Sequence, residues 1–254
     1  MLSVTWHKAL TVFLFAAPHV LLGPLVIILW KRRLYREFPC FFAYVLYELV
    51  TFVLLSALYS LGAAKGYAYA YYPTQILSVV LRFGVIDEVS RALFRESRFV
   101  RVSVRRSLQG VTVLLLVMGV VLAAYAPGDN GVRWIAGVTV VNRGAAMVQC
   151  GLLLSLLLFS RFLGLSWRRH AFGITLGLGA LTSVDLAVYA VRTQFSADVW
   201  VLYLNLLRTG TYLVCVSIWM GYLLAPELEP APLAVVPDEE VETWNRELQH
   251  WLRD

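Results

Sequence analysis

Three arginines stand where hydrocarbon should exclude them. Arg82, Arg143 and Arg208 each fall eight or nine residues into an apolar run, counted from Pro73, Trp134 and Trp200. At about 1.5 Å per helical residue, all three lie about 13 Å below one face of a bilayer. His19 reaches a similar depth in the first apolar run, and Asp185 approaches it from the opposite direction, with Gln75, Asn142 and Asn205 nearby in sequence. Charged side chains inside a spanning helix face the bundle interior or water and take a partner. One acid cannot neutralise three guanidiniums. The layer therefore predicts a net positive cavity that takes a carboxylate, a phosphate or another small anion through bidentate hydrogen bonds. The competing assignment is structural: pairing with Asp185 and with backbone carbonyls fixes helix register, and the surplus charge faces a water-filled crevice.

A second polar layer lies nearer the opposite face. Glu48 is about eight residues into the second run, and Asp87 and Glu88 are about as deep in the third. Arg91 follows at i+4 from Asp87 and i+3 from Glu88, a spacing that lets the charges pair on one helix face. Such a group serves either as an ion-paired lock between helices or, through Glu48 with Glu88, as a proton or cation relay. Pro18 precedes His19, so a kink there either aims the imidazole inward or is a passive bend. Gly173, Gly177 and Gly179 are small residues that permit close helix packing.

Other chemistries have no residues to carry them. The last apolar run, 200–224, holds no Lys for a retinal Schiff base. Haem ligation between helices requires paired histidines, and only His19 of the four lies within an apolar run. HExxH and CxxC spacings, glycine-rich phosphate loops and a Ser or Cys nucleophile with a His at compatible depth are missing. The expectation is a protein that is not an enzyme and has no cofactor and no metal.

The elements that position these residues follow from composition. The chain has 254 residues, 59% apolar and 15% charged, with a mean hydropathy of +0.70. Soluble domains are typically about 45–50% apolar and about 25% charged, so a single water-soluble domain is excluded. Disorder and a disulfide scaffold are excluded too, because Cys40, Cys150 and Cys215 lie far apart inside apolar runs. Seven runs near the length of a spanning helix occur at 9–30, 40–62, 73–94, 108–126, 134–160, 171–191 and 200–224. An all-α, seven-helix membrane bundle over 1–224 is predicted.

Loop charge sets its orientation. Lys31, Arg32, Arg33 and Arg36 fill the first loop, Arg91, Arg95, Arg98, Arg101, Arg105 and Arg106 the third, and Arg161, Arg168 and Arg169 the fifth. The alternate loops hold Lys65, Arg133 and Arg192. Thirteen basic residues against three place the N-terminus outside and the C-terminus in the cytoplasm. Trp134 and Trp200 then mark the outer interface, and Trp30 and Trp167 the inner one. The first run precedes its positive cluster, the reverse of a cleavable signal, and reads as a signal anchor.

The net charge of +6 is partitioned, with −6 on residues 225–254 and +12 on the rest. The positive charge belongs to cytoplasmic loops; it implies no nucleic-acid partner, and suits anionic lipid or a cytoplasmic protein partner docking on the basic loops. Residues 225–237 hold four prolines and form a stiff linker. Residues 238–254 form a cytoplasmic amphipathic helix with Val241, Trp244, Leu248, Trp251 and Leu252 on one face. Its acidic character predicts docking on the basic face of the bundle.

The chain also repeats itself. Residues 97–112 and 160–175 are identical at eight of sixteen positions without a gap, sharing Ser-Arg-Phe, Ser-x-Arg-Arg and Gly-x-Thr. The unit is two helices long, so the copies are parallel: one leading helix plus two or three helical-hairpin repeats, the third beginning at Arg32-Arg33. The run from Gln149-Cys-Gly-Leu-Leu-Leu through Ser160-Arg-Phe-Leu-Gly-Leu-Ser-Trp-Arg-Arg-His-Ala-Phe-Gly-Ile-Thr-Leu-Gly to Ser183-Val-Asp-Leu resembles a group of uncharacterised seven-helix integral membrane proteins from acidobacteria. The resemblance implies a multi-pass protein of a bacterial inner membrane. It carries over no functional residue.

The function expected from these residues is that of a sensor or receptor-like membrane protein. It binds a small anionic ligand at Arg82, Arg143, Arg208, His19 and Asp185 and acts through a cytoplasmic partner. A small transporter or channel for an anion or a proton-coupled solute, and a structural or assembly subunit, are the alternatives.

Overall fold

The computed structural model describes residues 2–62, 64–93, 130–162, 168–194 and 198–226, with isolated positions between 106 and 121. Its regular structure is helical: α1 (Leu2–Lys31), α2 (Pro39–Ser60), α3 (Ala64–Leu93), α4 (Asn130–Phe162), α5 (Arg169–Gln194) and α6 (Asp198–Leu224). These six helices overlap six of the seven expected runs; α1 begins seven residues and α3 nine residues before its run. The expected span at 108–126 lies largely outside the described residues. Within and just before it, Arg106, Gly110, Val113, Leu114, Val117, Met118 and Val121 are helical and exposed. Most of the repeat copy at 97–112 and the tail beyond Pro226 also fall outside.

Three segments are long and apolar enough to cross a membrane: Pro39–Ser60, Gly137–Leu158 and Arg169–Val191, with mean hydropathies of 2.0, 1.5 and 1.7. Their outward faces carry Val50, Val53, Leu54, Leu154 and Leu158, all exposed. Apolar faces of this extent are unsuited to water and suited to lipid tails. The chain is an all-helical membrane protein.

The described helices form a closed ring. Each packs on its neighbour along the chain, α3 packs on α4, α1 closes onto α6, and α3 touches α5 across the middle. The buried centre is aromatic and aliphatic. Trp219 meets Phe41 and Tyr44 edge-on, with centroids 5.2 and 6.2 Å apart, and Leu25, Leu29, Ile86, Ile174 and Leu178 fill in around them. Small residues set the α5–α6 spacing, because a Cβ on Gly173 would collide with Tyr222 and one on Gly177 with Trp219. The Trp219 indole N–H donates to the Ile174 carbonyl at 3.3 Å in the same groove.

One end of the ring gathers the basic residues. A 3₁₀ turn, Leu34–Arg36, joins α1 to α2, entered through Arg33 at a left-handed φ of 57°. Arg32 Nη1 donates to the Leu223 carbonyl at 2.9 Å, Arg169 Nη1 to the Pro226 carbonyl at 3.4 Å, and His170 Nε2 lies 3.3 Å from the Ala225 carbonyl. Cationic side chains therefore collect the free carbonyls at the end of α6, where the helix dipole favours them. Arg168 pairs with Glu37, tying the start of α5 to the turn before α2.

Candidate functional site

The site begins with Asp185 on α5. Its side chain is 4% exposed and takes Arg82 Nη1 of α3 at 3.2 Å on Oδ2. Arg208 Nε of α6 approaches Oδ1 at 2.7 Å, an ion pair by distance that is not aligned as a hydrogen bond. Arg82 is nearly buried at 13% exposure, whereas Arg208 remains 35% exposed. Its pair uses Nε.

Beside this cluster lies a small polar cavity of about 10 Å³. Gln75, Val79 and Arg82 come from α3, Asn142, Ala145, Ala146 and Gln149 from α4, Asp185 and Tyr189 from α5, and Arg208 from α6. Gln149 is 1% exposed, and its amide donates to the Val79 carbonyl at 3.5 Å. The α4 residues follow i, i+3, i+4, i+7 spacing, one face of a helix. Ala145 and Ala146 leave the space that the amides and guanidiniums border. The enclosed space of about 10 Å³ is that of a single water, far below the pockets that hold drug-sized ligands.

The expected Arg layer is thus only partly assembled. Arg143 is exposed and does not line the pocket. It follows Asn142, which does, and one residue turns the side chain about 100° around the helix. Equal depth does not give equal azimuth. His19 also stays apart. Its ring stacks on Phe52 at 3.9 Å and 14°, with Tyr212 tilted at 5.7 Å.

The second layer divides into separate places. Glu88 reaches the start of α2, accepting the Cys40 and Phe41 N–H groups at 2.9 Å each. α2 opens with Pro39 at its first turn and Phe38 supplies no side-chain cap, so this carboxylate from another helix does the capping. Asp87 pairs with Arg91 at 2.6 Å, the i,i+4 contact expected. Glu48 accepts the Ser78 hydroxyl at 2.5 Å. Ten residues of α3 separate Ser78 from Glu88, about 15 Å along the axis. The structure therefore does not join Glu48 and Glu88 in one relay.

Sequence inspection missed Gln149, Tyr44 and Tyr212. Gln149 stands at i+7 from Asn142, and the two tyrosines at four residues from Glu48 and Arg208. That periodicity was the available signal. Among the described residues, no three His, Cys, Asp or Glu side chains come together as metal ligands. Compared with protein-family models, curated proteins and solved structures, the chain matches none.

Proposed function

We propose that this membrane protein senses a small anion in the pocket at Arg82, Asp185 and Arg208 and conveys its occupancy along α6 to a cytoplasmic partner. One observation carries this reading: two guanidiniums converge on one buried carboxylate. Arg82 satisfies the carboxylate from inside. Arg208, the more exposed of the two, also lines the pocket, and a guanidinium is the group that carboxylates and phosphates fit. The reading is non-enzymatic. It places seven helices in a bacterial inner membrane, with the pocket in the outer half and the basic end in the cytoplasm.

The course of the chain supports seven crossings. α3 reaches the basic end, because Glu88 caps the start of α2 there. α4 also ends there, since a short connection leads to Arg168, which pairs with Glu37. The 36 residues between α3 and α4 therefore start at the basic end and finish at the other, a length that suits one further crossing.

Thermal unfolding in detergent at constant ionic strength tests the pocket. Chloride, formate or phosphate is expected to raise the Tm of the wild type by mass action on the folded state. Arg208→Gln should stay folded and lose the shift. If no anion moves the wild-type Tm, the arginines are register pins and the sensing role falls.

A further inference from the structure

The turn between α1 and α2 crowds four cations, Lys31, Arg32, Arg33 and Arg36, into six residues. Part of this charge is committed. Arg32 holds the Leu223 carbonyl, and Glu37, the one acid of the turn, pairs with Arg168. Lys31, Arg33 and Arg36 are exposed and have no carboxylate partner among the described residues. Arg33 stands at φ 57° and ψ 20° just past α1, a conformation that helix ends ordinarily give to glycine or asparagine. An arginine held there against local preference is the kind of departure that marks a functional position.

Beside these cations lies an aromatic shelf. Trp30 is 62% exposed and stacks on Tyr35 at 5.2 Å and 21°. Phe42 of α2 tilts against both, at 6.2 and 6.1 Å. The Arg36 guanidinium carbon lies 5.9 Å from the Tyr35 ring centre, and its Nε donates to the Tyr35 hydroxyl at 3.3 Å. Away from the turn, the shelf borders an exposed apolar stripe on α1. Phe13, Val20, Pro24 and Ile27 fall at i, i+7, i+11 and i+14 on one helix face, and Lys31 continues it at i+18.

Cation, amphipathic ring and hydrocarbon thus succeed one another along one side of α1. Phosphate, glycerol ester and acyl chain succeed one another in the same order in a phospholipid, and tryptophan and tyrosine settle at the level between water and chains. A free anion or an acidic polypeptide engages the cations alone and leaves ring and stripe unused. We propose that the α1–α2 turn seats one anionic phospholipid, its phosphate at Lys31, Arg33 and Arg36, its glycerol region on Trp30 and Tyr35, and an acyl chain on the α1 stripe. The proposal stands apart from the anion pocket, which is built by α3 to α6.

Native mass spectrometry of the full chain released from detergent tests it, with phosphatidylglycerol and phosphatidylcholine of matched chains at equal concentration. The wild type should retain one phosphatidylglycerol in preference by about tenfold or more. Arg33→Gly and Arg36→Gln should each lower the preference about fivefold, the contribution of one cation beside an anionic headgroup. Arg33→Gly should melt no lower than the wild type in lipid-free detergent, because glycine suits that backbone, so its loss of lipid is not a loss of fold. Trp30→Leu keeps every charge and should also lower the preference. Arg169→Gln removes a cation of the same end that is committed to the Pro226 carbonyl and should keep it. Glycerol 3-phosphate, the headgroup chemistry without chains, should not displace the lipid at equal concentration. Equal retention of both lipids by the wild type would overturn the proposal and leave the turn to the acidic tail or a partner protein. A preference untouched by Arg33→Gly, Arg36→Gln or Trp30→Leu, one that falls as far with Arg169→Gln, or displacement by glycerol 3-phosphate would overturn it equally, since each reduces the site to diffuse or soluble-anion attraction.

Discussion

Asp185 stands between two guanidiniums that hydrocarbon would otherwise reject. Removing its charge strands both. Asp185→Asn is expected to cost about 3–5 kcal/mol, the loss seen when a buried pair is broken from one side, read as a large fall in Tm in detergent. Arg143→Gln should leave Tm nearly unchanged, because that side chain is exposed and takes no part in the cluster. A substantial fall with Arg143→Gln would mean that α4 buries this face after all. The contrast also shows what depth-counting in a sequence can deliver. It named Arg82, Asp185 and Arg208, which the structure brings together, since a shared level is a matter of residues per turn. It also named Arg143, which the structure leaves exposed and apart from them, since depth does not give direction around the helix. Ala145 and Ala146, with Asn142 and Gln149, already marked the inward stripe.

At the scale of helices, six apolar runs overlap six helices, with α1 beginning seven residues and α3 nine residues before its run. That start, Ala64–Pro73, is rich in tyrosine and less apolar than the rest, so hydropathy alone does not reveal it. The role of Glu88 was illegible for a different reason. Its partners, Cys40 and Phe41, are more than forty residues away, and no local pattern announces that one helix caps another. Glu88→Ala should cost about 1–2 kcal/mol in lost capping and loosen the first turn of α2, detectable as faster amide exchange at Cys40 and Phe41. Unchanged exchange there would show that Pro39 alone holds the turn. The glycines of α5 were correctly expected to permit close packing, but only at Gly173 and Gly177; Gly179 faces open space. Gly177→Val should cost about 1–3 kcal/mol or more by driving a branched side chain into the Trp219 indole. An undiminished Tm would mean that α5 and α6 separate easily.

For the molecule as a whole, the closed ring brings α1 against α6 and concentrates the basic loops at one end. The orientation is open to direct measurement. In right-side-out vesicles, Lys65→Cys should react with a membrane-impermeant maleimide, whereas Arg33→Cys should react only after permeabilisation. The reverse pattern would invert the topology. The native Cys40, Cys150 and Cys215, the first two half-buried and the third fully buried, set the background to subtract. The interlock of Gly173 with Tyr222 and Gly177 with Trp219 has a mechanical consequence. Two helices meshed so closely cannot slide or turn against each other without first separating, so α5 and α6 share their degrees of freedom. Asp185 and Arg208 ride on that one unit, whereas Arg82 belongs to α3. Any movement of that unit against α3 must therefore break the Arg82–Asp185 contact, which bolts the two together.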